Sequence, residues 1–199
     1  MADKSTKYDF EVDTSNPNTT YAQIIALCGD AENILDIGCA AGSVGSFFAG
    51  KGRCVTGVDM DVGAVEAARE VLFKAIVGSF PSSEVTKQLQ GGYDVIIMAD
   101  TLEHMIDPKA ALVEAGRLLA KGGFVVVSIP NFGHWSARRD HLTGRFEYRD
   151  MGLTDSSHLR FFTVSTFEKL AVDSGYKIVD RRDVSSYNNF GDITFRILG

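Results

Sequence analysis

The stretch "NILDIGCAAGSVGSFFAGKG" (residues 33–52) sets an apolar run of strand character, a glycine turn and the start of a helix in direct succession. It comes close to the G-x-G-x-x-G fingerprint of dinucleotide binding without matching it. Gly38 and Gly42 are separated by Cys39, Ala40 and Ala41, so the middle glycine that lets backbone approach a pyrophosphate is missing. Asp59 closes the next apolar run, "CVTGVDMD" (54–61), 21 residues after Gly38. From that position a carboxylate accepts hydrogen bonds from a ribose diol. A ribose reader without a pyrophosphate glycine fits an adenosine cofactor that carries no phosphates, and argues against NAD-dependent oxidoreduction.

Outward from this stretch, short apolar runs alternate with helical patterns. "KAIVGS" (74–79), "YDVIIMAD" (93–100) and "GFVVVSIP" (123–130) read as further strands, rich in Val and Ile as suits a parallel sheet covered on both faces. Asp61 is placed to cap the helix "VGAVEAAREVL", and Asp107-Pro108 supplies an N-cap and a first-turn proline for "PKAALVEAGRLLA", which is expected to stop at Gly122-Gly123. "TVSTFEKLAVDSG" reads as a helix starting near Ser165 or Thr166. Two strands follow, "YKIVDRRDV" and "DITFRIL", joined by the short polar loop "SSYNNFG", which favours an antiparallel pair. The expected fold is α/β: a Rossmann-like, doubly wound sheet of about seven mostly parallel strands, the last antiparallel, with helices on both faces.

Composition sets the class. The 199 residues are 45% hydrophobic and 23% charged, with a net charge of −6, which describes one ordinary domain over residues 1–199 and gives no basic surface for nucleic acid. Cys28, Cys39 and Cys54 are an odd set without a close pair, so reduced thiols in the cytoplasm are expected. No run has the length of a membrane span, and the polar segment 1–17 is expected either to be flexible without ligand or to fold over the cofactor. Paired-cysteine, H-x-H and HExxH spacings do not occur, so no metal is expected.

The ordered set "ILDIGCAAG", "VTGVDMD", "YDVIIMADTLEHMIDP" and "LLAKGGFVVVSIPN" resembles the successive motifs of class I S-adenosylmethionine-dependent methyltransferases. The later stretch 128–163 is similar to a bacterial subgroup associated with glycosyltransferases of surface-polysaccharide pathways. The resemblance implies that Gly38, Cys39, Ala40 and Gly42 line the methionine and ribose part of the cofactor. Asp36 would orient the loop, Asp59 would hold the ribose hydroxyls and Met60 would pack on the adenine. Relatives often carry an aspartate after the third-strand glycine; here Ser79 and Phe80 stand there, and serine or backbone would take the adenine contact. Asp100, Glu103 and His104 follow the fourth strand. Asp100 suits the cofactor's amino group. His104 has the intrinsic pKa of a base near neutrality, or else holds the loop. Glu103 is the second catalytic candidate, or orients the loop or a partner.

Residues 131–162 form an insertion too long for an ordinary connection. It holds six aromatics, five arginines against four acids, and three of the four histidines. Such a basic, aromatic segment reads as a lid over a small-molecule acceptor, with His134, Trp135, Arg138, Arg139, His158 and Arg160 as candidate substrate contacts, or as a flap whose aromatics pack on the sheet. The resemblance implies methyl transfer to a hydroxyl of a sugar, nucleotide-sugar or glycan, with a glycosyltransferase or a second copy of the chain as partner. The alternative is a methyltransferase-like accessory protein that assists a partner enzyme without turnover.

Overall fold

In the computed structural model, residues 12–184 and 192–199 are described; the first part of the polar N-terminal segment and the loop "SSYNNFG" lie outside them. The chain runs α1 (Thr20–Cys28), β1 (Asn33–Ile37), α2 (Ser43–Ala49), β2 (Cys54–Asp59), α3 (Val62–Val71), β3 (Lys74–Val77), α4 (Ser83–Thr86) and β4 (Tyr93–Ala99). After a 3₁₀ turn (Leu102–His104) come α5 (Pro108–Leu118), β5 (Leu119–Pro130), α6 (Trp135–Leu142), α7 (Val164–Asp173), β6 (Lys177–Asp183) and β7 (Asp192–Leu198).

The strands form one sheet in the order β3-β2-β1-β4-β5-β7-β6. β7 pairs antiparallel with both β5 and β6, whereas the pairs among β1 to β5 are parallel. The chain order reverses between β1 and β4, the switch point at which open α/β sheets form their ligand crevice.

Side chains alternate across a strand, so each central strand serves two layers. Leu35, Ile37, Ile96, Met98, Val125 and Val127 join one core, under α5 and α7. Ile34, Val95, Ile97 and Val126 join the other, under α1, α2 and α3. Each such side chain contributes about 1.5–3 kcal/mol when fully buried, and this double layer is why the strands carry unbroken Val and Ile. Asp36 shares the face of Ile34 and is thereby carried into the second core.

Several boundaries differ from expectation. Asp61 and Asp107 cap α3 and α5 as read, accepting from the Ala64 and Ala110 amides at 3.0 and 2.9 Å. However, α5 ends at Leu118, and Gly122-Gly123 belong to β5. A Cβ at Gly123 would lie 2.8 Å from the Tyr93 carbonyl oxygen, so this glycine permits close strand approach at a register break rather than closing a helix. α7 begins at Val164, one or two residues earlier than expected, because Thr163 and Thr166 form a capping box. Within the lid only Trp135–Leu142 is helical. Among the described residues no helix is long and apolar enough to cross a membrane.

Candidate active site at the carboxyl ends of the central strands

The loop after β1 turns through three left-handed residues, Gly38 (φ +79), Ala40 (φ +46) and Gly42 (φ +88). A Cβ at Gly38 would meet Thr101 Oγ1 at 2.5 Å, so the loop packs directly on the turn after β4. Thr101 ties the two strands together by donating to the carbonyls of Ile37 (3.1 Å) and Ala99 (2.8 Å). Gly42 caps α2 in a left-handed conformation that disfavours a side chain. Non-glycine residues held at positive φ cluster at functional sites. Ala40 and Asp100 (φ +47), the two in this chain's described residues, sit at the ends of the adjacent strands β1 and β4.

Asp59, at the end of β2, accepts from the Ala40 amide with Oδ2 and from the Asp61 amide with Oδ1, each at 2.9 Å. A carboxylate has about four lone-pair positions, so acceptor capacity remains for hydroxyl donors. Asp36 is buried beneath α2, and its Oδ2 has no hydrogen-bond partner among the described residues. Burial first, and the charge of Asp59 second, push its pKa up to about 7.

The remaining cofactor candidates separate by exposure. Met60 is 69% exposed beside this loop, free to cover a planar group. Ser79 is exposed, but Phe80 is turned into the core beside Val85 and Ile76, so its side chain is a packing residue. Cys39 is also packing: it fills the space over Gly57, and burial raises its thiol well above the usual range, which removes it as a nucleophile.

Asp100 forms a closed exchange with Ser128, whose hydroxyl donates to Asp100 Oδ1 (2.7 Å) and accepts from its amide (2.9 Å). Burial, then the nearby charge of Asp192, raise the Asp100 carboxyl; burial also raises Asp192, which accepts from Thr20 at 2.9 Å. Sequence reading missed Thr101, Ser128 and Asp192. The one local signal was a serine inside the apolar run "VVVSIP".

Glu103 is 1% exposed, with neither carboxylate oxygen hydrogen-bonded among the described residues. Its carboxyl lies well above the usual range, first through burial and then through Asp100, Asp192 and Asp155. His104 is half-buried, its Nδ1 3.2 Å from the Ser157 carbonyl oxygen. The end of the lid is stapled to this turn. The amides of Leu159 and Arg160 donate to the Glu103 carbonyl at 2.8 and 2.9 Å, and the Arg160 guanidinium donates to the Ile106 carbonyl. His158 thereby stands edge-on to His104, with ring centroids 4.9 Å apart.

Three of the other lid candidates, His134, Arg139 and Arg160, have structural partners. His134 caps α6 by engaging Ser136. Arg160 bonds main-chain carbonyls, as just described. Arg139 pairs with Asp140 (3.0 Å) and lies 5.3 Å from the ring of Trp135, which is 64% exposed. Arg138 is exposed on the same helix. Phe132, Phe146 and Phe161 form a ring cluster with His141, centroids 4.8–6.1 Å from Phe132.

A family model described as a methyltransferase domain matches residues 15–181. Two curated relatives are ubiquinone biosynthesis O-methyltransferases. That of Psychrobacter arcticus is 26% identical over 151 residues, covering 73% of this chain and 59% of its own length. That of Thiobacillus denitrificans is 32% identical over 104 residues, covering 50% of this chain and 45% of its own length. The chain thus spans about half the length of the curated relatives it matches. Among solved structures, the magnesium protoporphyrin IX methyltransferase of Synechocystis superposes with a TM-score of 0.68 at 17% identity, over 95% of this chain and 89% of that one. The CcbJ methyltransferase of Streptomyces caelestis does so with a TM-score of 0.67 at 16% identity, over 95% and 99%. At these identities the two structures show the shared fold.

Proposed function

The chain belongs to the methyltransferase domain family, and from that premise we propose that it transfers a methyl group from S-adenosylmethionine to a hydroxyl of a small-molecule acceptor. The observation that carries this reading is Asp59, held by the Ala40 and Asp61 amides across the strand ends with acceptor capacity to spare. The crevice fits the cofactor's chemistry in three respects. Asp59 has lone pairs to spare for ribose hydroxyls, the orphaned Asp36 Oδ2 lies beneath α2, which the glycine loop opens, and the acidic groups Asp36, Asp59 and Asp100 favour a cationic guest.

When bound, S-adenosylmethionine supplies a methyl already activated on a sulfonium. The protein's part is then to position the acceptor, exclude water and take up a proton; positioning alone can lower a barrier by roughly 7–11 kcal/mol in favourable cases. In this reading Met60 and the backbone of residues 79–80 flank the adenine, Gly38 and Ala40 admit the cofactor to the strand ends, and Asp100 faces its amino group. His104 and Glu103 lie where the acceptor's proton would leave.

For the acceptor, we favour a sugar, nucleotide-sugar or glycan hydroxyl. Support comes from Arg138 on α6, suited to a phosphate, and from Trp135, Phe146 and Tyr148, whose exposed rings can stack on a pyranose. A glycosyltransferase partner follows from that choice. The ring cluster of Phe132, Phe146 and Phe161 favours a second reading, an acceptor with its own aromatic ring, and the relatives named for ubiquinone biosynthesis point the same way.

Calorimetric titration with S-adenosylhomocysteine tests the cofactor half, with circular dichroism confirming that each variant is folded. Micromolar binding, weakened at least tenfold in Asp59→Ala, is expected. A folded wild-type chain that does not bind would refute methyl transfer and leave the accessory-protein alternative.

A further inference from the structure

We propose that Glu103, His104 and His158 together form a binding site for a first-row divalent transition ion. One ligand atom from each residue lies within 4.8 Å of the others, although His158 reaches the site from the far end of the lid. This site is independent of whether the chain transfers methyl groups.

Three observations carry it. Glu103 is buried with both oxygens lacking hydrogen bonds among the described residues, a costly arrangement for a carboxylate with nothing to neutralise it. His104 is oriented as a ligand. A carbonyl can only accept, so the contact with the Ser157 oxygen fixes the proton on Nδ1 and leaves the neutral ring's lone pair on Nε2. Metal-bound histidines are commonly held by such a bond from the second nitrogen. Finally, the three side chains are brought together by main-chain bonds from Leu159 and Arg160 to the Glu103 carbonyl, so the site is assembled by the fold.

The donor set indicates the class of ion. Two imidazoles and one carboxylate with open positions suit zinc, iron(II), cobalt or manganese, whereas magnesium and calcium prefer oxygen donors. Ligand atoms around such an ion, at about 2.0–2.1 Å from it, stand roughly 3.3 Å apart, so binding draws the three groups inward by small side-chain rotations. The ligands come from two distant segments, which is why no metal spacing is visible along the chain. If the methyl-transfer reading holds, the open positions face an acceptor hydroxyl and would lower its pKa, the role for which a histidine base was considered.

The test uses chelator-treated full-length chain titrated with zinc and with cobalt, by calorimetry and by cobalt visible absorption, alongside His158→Gln and Glu103→Gln. We expect one ion per chain, with affinity reduced at least tenfold in each folded variant. Should the variants unfold, cobalt titration of the wild type is expected to shift the ring resonances of His104 and His158 selectively in NMR spectra. Absence of ion binding by the wild type, affinity unchanged in both variants, or shifts at other histidines only would overturn the proposal. S-adenosylhomocysteine is titrated in parallel on the metal-free chain. Binding of that ligand without binding of the ion removes the metal site and leaves the methyl-transfer reading intact.

Discussion

Replacing Gly38 with alanine tests whether the glycine loop after β1 is built on contact between β1 and β4. Two separate costs arise. Alanine in the left-handed region costs about 1–2 kcal/mol relative to glycine, and Gly38 stands at φ +79. The new Cβ would also sit 2.5 Å from Thr101 Oγ1 and 2.8 Å from Thr101 Cγ2. Relief requires Thr101 to abandon its bonds to the Ile37 and Ala99 carbonyls or the loop to move, an overpacking cost of about 1–3 kcal/mol. The expected loss is therefore about 2–5 kcal/mol, read as a lower urea midpoint at unchanged slope. Thr101→Ala alone is expected to cost about 1 kcal/mol for its hydrogen bonds. The double variant removes both clashing atoms, leaving Thr101 Cβ at 3.2 Å. It should recover about 1–3 kcal/mol relative to the sum of the single changes, leaving the left-handed strain. A Gly38→Ala loss under 0.5 kcal/mol, or strict additivity in the double variant, would refute the packing argument.

Two further outcomes are expected. The Asp36 carboxyl has a folded-state pKa of about 7 against an ordinary value of 3.8, so between these values the folded chain holds a proton that the unfolded chain has released. Its contribution is therefore fully present below about pH 4 and is lost as pH rises towards 7, by at most about 4 kcal/mol. Asp36→Asn should flatten that decline in urea midpoints measured across pH 4–8; Asp100, Glu103 and Asp192, also raised, will retain part of it. An unchanged slope in the variant would count against the burial argument. Separately, Thr163→Ala removes the α7 capping box and should lower stability by about 1 kcal/mol in the same assay, with no effect on cofactor binding. A loss below 0.2 kcal/mol would mean that α7 is held by packing alone.

The periodic and local features of this protein are legible in its sequence. Val- and Ile-rich runs marked the sheet, Gly38 and Gly42 marked the turn, Asp59 stood at the expected distance beyond it, and Asp61 and Asp107 announced two helix starts. Apart from the Gly38-to-Asp59 spacing, which one strand–helix–strand unit sets, each of these depends on residues a few positions apart, whose backbone preferences and hydrogen bonds act locally. The reading failed where tertiary contact outweighed a local preference. Gly122-Gly123 resembles a helix end, yet the close approach of the Tyr93 carbonyl claims Gly123 for the sheet. Phe80 stands at an adenine-contact position in sequence, but the core takes its side chain.

The chemistry around Glu103 was decided only by the tertiary structure. Glu103 and His104 are adjacent in sequence, but burial of the carboxylate depends on the lid returning over them, and His158 arrives with that return. Asp192 reaches Asp100 because β7 runs antiparallel beside β5. Charge, burial and proximity between distant segments depend on how the sheet orders its strands, and no local pattern encodes that order. The sequence by itself thus determined the fold class and the glycine turn after β1; folding alone determined which acids and histidines meet.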